Sequence, residues 1–421
     1  MAPFSLQKTI DTISRKARQA GHLLLDTGQE KIDRCLIAMA ELLDVRQDSV
    51  RKANAKDIAL ARAKKLPEAM IERLTLSDKA ISSMKKGLVE VAALSTPVGT
   101  IFDERRRPNG LRIYKMKVPI GVIAIVYESR PNVTVDAAAI CLKSRNSVIL
   151  RGGSEAFNSN KALASLFTQA CASAGVVSHA VQFVPTTDRK AVDLLLQKDN
   201  DIDLVIPRGG EGLIRAVVGK SRIPVIKHYK GVCHVYVSSR ADMGKALPIV
   251  VNAKVQRPSV CNAMETLLLD KNLADESKKR VLSALLEKGV TLFGDPASRR
   301  LESSIKRATT EDWLAEYLDL RLAVRVVDGV MEAVSHINTF GSHHTDSIIT
   351  ESKDEAGLFV KMVDSSSVMV NASTRFSDGA EYGMGAEIGI STDKLHARGP
   401  MGVDDLTTYK WIVEGNGQVR T

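Results

Sequence analysis

Three groups of residues in this 421-residue chain combine the types and spacing that chemistry needs. The first is a cysteine. Of Cys35, Cys141, Cys171, Cys233 and Cys261, only Cys261 lies in a polar loop, Pro-Ser-Val-Cys-Asn, directly before a run of strand character. Lys254 and Arg257 precede it, and nearby cations favour the thiolate, which is the nucleophile. Cys35, Cys141 and Cys171 fall in alanine- and leucine-rich helical stretches and Cys233 lies beside a strand, positions that suit packing. The cysteine count is odd, the spacing is wide and no CxxC occurs. Neither a disulfide framework nor a zinc site is therefore expected, and a reduced cytoplasmic enzyme is.

The second group is a repeated tripeptide. Val148–Glu155 reads VILRGGSE and Leu204–Gly212 reads LVIPRGGEG. Each sets Arg-Gly-Gly at the C-terminal end of an apolar strand, ahead of a helix: Arg151, Gly152 and Gly153, followed by Ser154 and Glu155, and then Arg208, Gly209 and Gly210. Open α/β sheets bind ligands at that edge. Glycine lets backbone approach a phosphate, helix N-terminal N–H groups favour anions, and arginine is a bidentate phosphate donor. A tight βα turn accounts for either copy alone, whereas two copies, both with arginine, favour a phosphate-bearing cofactor. The GxGxxG fingerprint is absent.

The third group lies late in the chain. Asn371-Ala-Ser-Thr-Arg375 ends an expected strand with side chains that suit a carboxylate or amino-acid substrate. The glycine-dense stretch Gly379–Gly402, with Glu381, Glu387, Lys394, His396 and Arg398, suits loops that line a cleft. His343 and His344 are adjacent and read as exposed loop histidines; with no HExxH motif and no Cys/His quartet, no metal is expected.

These residues need elements to hold them. The first hundred residues or so read as helical, with Ile10, Ile13, Ala17 and Ala20, and then Ile32, Leu36, Met39, Ala40 and Leu43, at helical spacing. Ser77 is the expected N-cap of a later helix, and Pro97 and Gly99 close the run. Basic residues around Asn109-Gly110 read as a projecting hairpin on a two-residue turn. From Gly121 apolar strands alternate with helices, at Val122–Tyr127, Val148–Leu150, Val181–Val184, Leu204–Ile206, Val225–Ile226 and Val235–Val237. That pattern predicts a parallel, doubly wound sheet covered on both faces. A second α/β stretch runs from about residue 232 to 405, and Thr407–Val413 reads as a terminal strand.

Composition excludes several classes. Hydrophobic residues make up 44% and charged residues 26%, which is globular and not disordered. No run of about eighteen apolar residues is present, and the N-terminal segment has no apolar signal core. Net charge is 59 − 49 = +10, but bases and acids interleave along the chain and aromatics are only 4%. A stacking platform for nucleic acid is thus not expected, and anionic small molecules account for the charge.

The stretches VPIGVIAIVYESRPNVTVDAAAICLKSRNSVILRGG, DLVIPRGGEGLI, KGVCHVYV, VNAKVQRPSVCNAMETLLL, VDSSSVMVNASTRFSDGAEYGMGAEIGIST and KLHARGPMG closely resemble the gamma-glutamyl phosphate reductases, a family of the aldehyde dehydrogenase superfamily. The resemblance covers essentially the whole chain. It implies an aldehyde dehydrogenase-like α/β fold: a Rossmann-like NADPH-binding domain (residues 1–104 and 119–232), an α/β catalytic domain (233–405), and a small β oligomerisation projection (105–118 and 406–421). It implies NADPH-dependent reduction of L-glutamyl 5-phosphate to L-glutamate 5-semialdehyde and phosphate, in proline biosynthesis. Cys261 matches the nucleophile, and its backbone N–H and the side chain of Asn132 match the oxyanion donors. The turn from Arg151 to Glu155 takes the place that holds the adenosine ribose, with Arg151 for a 2′-phosphate, and Arg208, Gly209 and Gly210 form the second cofactor loop. Arg130, Asn371, Arg375 and Arg398 are the substrate-binding candidates. Val225–Val232 reads VIKHYKGV and lacks the glutamate base of hydrolytic relatives, which suits an enzyme whose thioester must not meet activated water. A homo-oligomer is implied, glutamate 5-kinase is a possible partner, and no membrane or nucleic-acid role is. A CoA-acylating relative is the alternative enzyme, and a basic scaffold descended from an enzyme the alternative of another class.

Overall fold

The computed structural model describes residues 3–420. The chain divides into two compact units. The first comprises Met1–Lys227, Gly383–Gly389 and Met401–Thr421, and the second His228–Tyr382 and Ile390–Pro400. The expected boundary at 232/233 thus falls inside the second unit. The glycine-rich stretch is divided as well, with Gly383–Gly389 and the residues from Met401 in the first unit. Gly389 lies against Arg208 of the first unit: a Cβ there would be 2.4 Å from Arg208 Nη1, so a side chain would have to push this guanidinium aside.

In the first unit, strands β1 (Ile101–Arg106) and β2 (Arg112–Pro119) precede β3 (Val122–Tyr127), β4 (Ser147–Gly152), β5 (Val181–Phe183) and β6 (Leu204–Arg208). The last four form a parallel sheet in the order β5-β4-β3-β6. β3 and β4 are buried along their whole lengths, as continuous apolar runs of a doubly covered sheet must be. The start of β3 is pinned: Asp203 accepts from the Val122 N–H at 2.8 Å and from Arg18 at 2.8 and 3.0 Å. Helices Pro3–Leu24, Gln29–Val45, Gln47–Ala63, Glu68–Leu74 and Asp78–Ala93 occupy the N-terminal region. They bury the residues expected from their spacing, Ile10 and Ala17 in the first and Ile32, Leu36, Met39 and Leu43 in the second. Ser77 caps the fifth by accepting from the Ala80 N–H at 3.2 Å. Val225 makes only an isolated bridge to Val205, so the strand expected at Val225–Ile226 does not form.

The second unit is built on β7 (Cys233–Val237), β8 (Met264–Asp270), β9 (Thr291–Gly294), β10 (Lys306–Arg307), β11 (Arg321–Val327), β12 (Thr345–Ile349) and β13 (Ser367–Val370). They make one seven-stranded parallel sheet in the order β10-β9-β11-β8-β7-β12-β13. β7 and β8 are central and fully buried.

Two short strands, β14 (Gly389–Ser391) and β15 (Gly399–Met401), precede β16 (Thr407–Glu414). β16 pairs antiparallel with the whole of β2, from Thr407↔Pro119 to Glu414↔Arg112, and β1 flanks β2 on its other side. The hairpin differs from expectation. The Gly110 N–H bonds the Arg107 carbonyl at 2.9 Å, and the Arg107 N–H bonds the Leu111 carbonyl at 2.8 Å. Gly110 has φ +89° while Asn109 is not among the positive-φ residues. Pro108 favours a type I turn by fixing φ near −65°, and Gly110 then supplies the left-handed residue that closes the longer loop.

One buried histidine makes the second unit acid-sensitive. His336, on helix Gly329–Phe340, is 2% exposed. Its ring meets those of His234, Trp313 and Phe340, and its Nδ1 accepts from Arg325 at 2.9 Å. Burial, then the neighbouring His234 and Arg325, depress its pKa to about 2. A histidine depressed in the fold contributes stability above its unfolded pKa of about 6.5, and loses it progressively as pH falls below that value towards the folded pKa. From pH 7.5 to 5.5 this group should cost about 1.4 kcal/mol of unfolding free energy. Urea unfolding of wild type and His336→Gln at both pH values checks it: the pH-dependent loss should be smaller in the variant, and equal losses would assign it elsewhere.

Candidate active site

Cys261 sits on a turn between helix Met243–Val255 and β8, at the N-terminal end of the central strand pair. It is partly exposed, and the other four cysteines are buried. The loop is clamped on several sides. Gly231 lies so close beneath it that a Cβ there would be 1.9 Å from the Cys261 carbonyl oxygen. Cys233 Sγ lies 3.2 Å from the same oxygen. Asn262 donates to the Ser377 carbonyl at 2.9 Å, and Arg375 Nε donates to Gln256 Oε1 at 2.7 Å. The residues flanking the thiol are thereby bolted to the segment that follows β13. The Cys261 N–H makes no hydrogen bond among the described residues, so it is a donor available to a developing oxyanion.

Lys254 does not serve the thiol. Its ammonium lies 2.6 Å from Glu265, with both side chains fully buried, and Glu265 also accepts from the Leu318 N–H at 3.1 Å. This pair ties the end of the helix to β8 behind the loop, and its charge is matched there. His344 is buried and not an exposed loop residue. Its Nδ1 lies 3.7 Å from Cys233 Sγ and 2.9 Å from Thr345 Oγ1. Val225–Val232 brings no carboxylate of its own, but Glu316 reaches it and accepts from the Gly231 N–H at 2.8 Å. Sequence reasoning missed Gly231, Cys233, Gln256 and Glu316, because their roles are contacts between distant segments.

The substrate candidates separate. Arg375 is beside the nucleophile loop as described. Asn371, with φ +53°, bonds back to Thr350 through both ends of its amide, at 3.0 and 2.8 Å. Arg398 is paired with Asp364 at 2.8 Å and also donates to its carbonyl. Lys394 and Arg398 together pull the Asp364 carboxyl down to about 2. Asn371 and Arg398 thus each hold a partner inside the second unit. Arg130, in the first unit, is exposed on the loop after β3.

Asn132 begins helix Asn132–Lys143, which starts just beyond the C-terminal end of β3. Its Nδ2 donates to Asp136 at 3.0 Å, one helical turn on. Burial pushes the Asp136 carboxyl up to about 6, against that hydrogen bond and the charge of Arg208.

The edge formed by β3, β4 and β6 fits a dinucleotide in part. Gly152 and Gly153 are places where a side chain would strike Asn160 and Glu155, at 2.0 and 2.1 Å. The backbone is thus bare there. Glu155 is held by the N–H and hydroxyl of Ser129, at 2.7 and 2.8 Å, and Ser154 is exposed. These residues suit a ribose. Arg151 is held by local carbonyls. It is 7% exposed, and its guanidinium donates to the carbonyls of Gly152, Thr187 and Asp188. At the second loop, the Gly210 N–H is taken by Glu128 at 3.0 Å, and Gly209 passes against the same carboxylate. Arg208 lies along Gly389.

Comparison with known proteins is consistent throughout. Residues 2–305 match the model of the aldehyde dehydrogenase family. A gamma-glutamyl phosphate reductase of Moorella thermoacetica is 50% identical over 411 residues, 98% of each chain. The crystal structure of gamma-glutamyl phosphate reductase from Thermotoga maritima is 42% identical with a TM-score of 0.96, covering 98% of this chain and all of the other. That of the Saccharomyces cerevisiae gamma-glutamyl phosphate reductase is 32% identical, with a TM-score of 0.55 and 98% coverage of both chains.

The Gly231 clamp predicts an outcome. Gly231→Ala forces backbone away from Cys261 and should destabilise the protein by about 1–3 kcal/mol, as overpacking does. It should also change the alkylation rate of Cys261. Gly212→Ala, in a helix where nothing lies within 4 Å, is the control: it should not destabilise the protein and should leave the alkylation rate unchanged. Thermal unfolding with peptide mapping after iodoacetamide decides it; identical behaviour of the two variants would contradict the clamp.

Proposed function

The chain belongs to the aldehyde dehydrogenase family, and we propose that it acts through Cys261 on the acyl phosphate that names its gamma-glutamyl phosphate reductase relatives. It is an oxidoreductase that reduces L-glutamyl 5-phosphate to L-glutamate 5-semialdehyde, a step of proline biosynthesis. The observation that carries the mechanism is the placement of Cys261, partly exposed on a loop fixed by Gly231, Cys233 and Asn262, with its own N–H unpaired.

The Cys261 thiol gives up its proton and its sulfur attacks the acyl carbon. The C–S bond forms, the C–O bond to phosphate breaks, and the electron pair departs on the phosphate oxygen, which takes up the proton. The Cys261 N–H, with the Asn132 amide assigned by family resemblance, stabilises the oxyanion on the way. A bound nicotinamide nucleotide supplies the hydride that reduces the thioacyl group. The resulting thiohemiacetal collapses with Cys261 as leaving group, freeing the aldehyde. Val225–Val232 carries no carboxylate of its own, which supports passage of the acyl group to hydride over hydrolysis.

NADPH is our proposed cofactor, bound at the edge carrying Gly152, Gly153, Ser154 and Glu155. Arg151 is spent on carbonyls, and the 2′-phosphate falls to Arg189. That residue directly follows the Thr187 and Asp188 carbonyls that hold Arg151, is exposed, and makes no side-chain hydrogen bond or ion pair among the described residues. We also propose a homo-oligomer through the β1-β2-β16 sheet. There Phe102, Tyr409 and Trp411 are exposed around the Lys115 ammonium. The cytoplasm is the proposed location, and among the described residues no helix is long and apolar enough to cross a membrane.

The reverse reaction tests the reading. Glutamate 5-semialdehyde, phosphate and NADP⁺ should give phosphate-dependent nicotinamide reduction. Cys261→Ala should lower it by about 10³-fold or more, with the NADPH dissociation constant unchanged. Reduction driven by CoA in place of phosphate would instead identify a CoA-acylating enzyme. For the cofactor, fluorescence titration of Arg189→Ala should show NADPH binding weakened by about tenfold or more, the loss of one charge-assisted contact, and NADH binding unchanged. Equal weakening of both nucleotides would remove Arg189 from the 2′-phosphate.

A further inference from the structure

The loop that carries Cys261 also carries Arg257, whose guanidinium the reaction above leaves without a task. Arg257 is exposed and makes no side-chain hydrogen bond or ion pair among the described residues. Arg375 is fixed by its hydrogen bond to Gln256, the residue next to Arg257 in the chain, and its segment by the Asn262–Ser377 bond on the other side of Cys261. Burial, and next the charge of Arg257, hold the Arg375 guanidinium below its ordinary value; Asp378 and the thiols of Cys261 and Cys233 act in the opposite sense. Asp378 is the carboxylate felt there, and its Oδ1 is engaged by the Ala380 N–H at 3.0 Å. Lys254, the third cation near the loop, is neutralised by Glu265 in the interior. Arg375 is thus bonded to the residue beside Arg257 and feels its charge, and among the described residues neither guanidinium is paired with a carboxylate, an arrangement that repels unless an anion joins it.

We propose that Arg257 and Arg375 form the subsite for the phosphoryl group, with Arg257 a catalytic residue that binds the departing phosphate. This rests on the acyl-phosphate reading of Cys261. The chemistry selects phosphate over the substrate's α-carboxylate. The leaving oxygen is bonded to the carbon that Cys261 attacks, so the phosphoryl group must lie beside the thiol, whereas the α-carboxylate is at the far end of the glutamyl chain. As the C–O bond breaks, negative charge gathers on the leaving oxygen, and planar guanidinium donors on two sides hold it as it departs. The arginines act as hydrogen-bond donors, and the proton that balances the phosphate is the one lost by the Cys261 thiol.

The test uses inorganic phosphate as the probe. In the reverse reaction, Arg257→Gln should raise the KM for phosphate by about 10- to 100-fold, the loss of a charge-assisted contact, and leave the KM for the semialdehyde within about twofold. Arg257→Lys, which keeps the charge without the fork, should recover part of the loss. Without nucleotide, phosphate should slow alkylation of Cys261 by iodoacetamide in wild type and fail to do so in Arg257→Gln. Unchanged phosphate KM and unchanged protection in both variants would overturn the subsite while leaving the phosphorylating reaction standing. A raised semialdehyde KM with normal phosphate KM would reassign Arg257 to the carboxylate and equally overturn it. A wild-type enzyme whose reaction and whose thiol both ignore phosphate would overturn the acyl-phosphate reading itself.

Discussion

The structure around the thiol depends on one steric fact: the backbone at Gly231 and the carbonyl of Cys261 occupy neighbouring space that no side chain can share. That contact brings the start of β7 against the turn before β8, so Cys233 reaches the same carbonyl. With this register fixed, Lys254 and Glu265 close the loop from behind as a buried ion pair. Breaking such a pair by removing one partner is expensive, because the other charge is left in the interior. The loop is thus rigid where it meets the protein and open only at the sulfur and the peptide N–H. This is the geometry that a nucleophile with its own oxyanion donor requires.

Charge follows the same division. The cations nearest the thiol in sequence, Lys254 and Arg257, have opposite fates: one is matched inside the fold and the other is left for solvent and ligands. Elsewhere in the second unit Arg398 and Lys394 are absorbed by Asp364, and Arg325 by Glu332. The chain's net charge of +10 therefore does not define a binding face by itself. Among the described residues Arg257 and Arg375 of the second unit, and Arg189 of the first, form no ion pair with a carboxylate, and it is their position and not the lack of a partner that singles them out.

The sheet strands were legible because their apolar runs are continuous and bounded by glycine, proline and charge, as in Val122–Tyr127 and Met264–Asp270. The helical spacing of Ile32, Leu36, Met39 and Leu43, and the Ser77 cap, were legible for equally local reasons. Cys261 stood out because a cysteine among polar residues does not pack. The local partners of Arg151, Asn371 and Arg398 were not legible, for a shared cause. A polar side chain at a strand end reads the same whether it faces a ligand or is consumed by carbonyls, a turn or a carboxylate from a distant segment. Gly231 and Cys233 carried no local signal, since a glycine forced by close approach looks like any other glycine until its neighbour, thirty residues on, is known.

The claim that everything else serves is that Cys261 carries the acyl group. Incubating the protein with glutamate 5-semialdehyde and NADP⁺ in the absence of phosphate, followed by acid quench and intact-mass and peptide analysis, tests it most directly. One glutamyl group should appear on the peptide containing Cys261 and be discharged when phosphate is added before the quench. No adduct in a preparation that turns over on phosphate addition, or an adduct on another residue, would contradict the account.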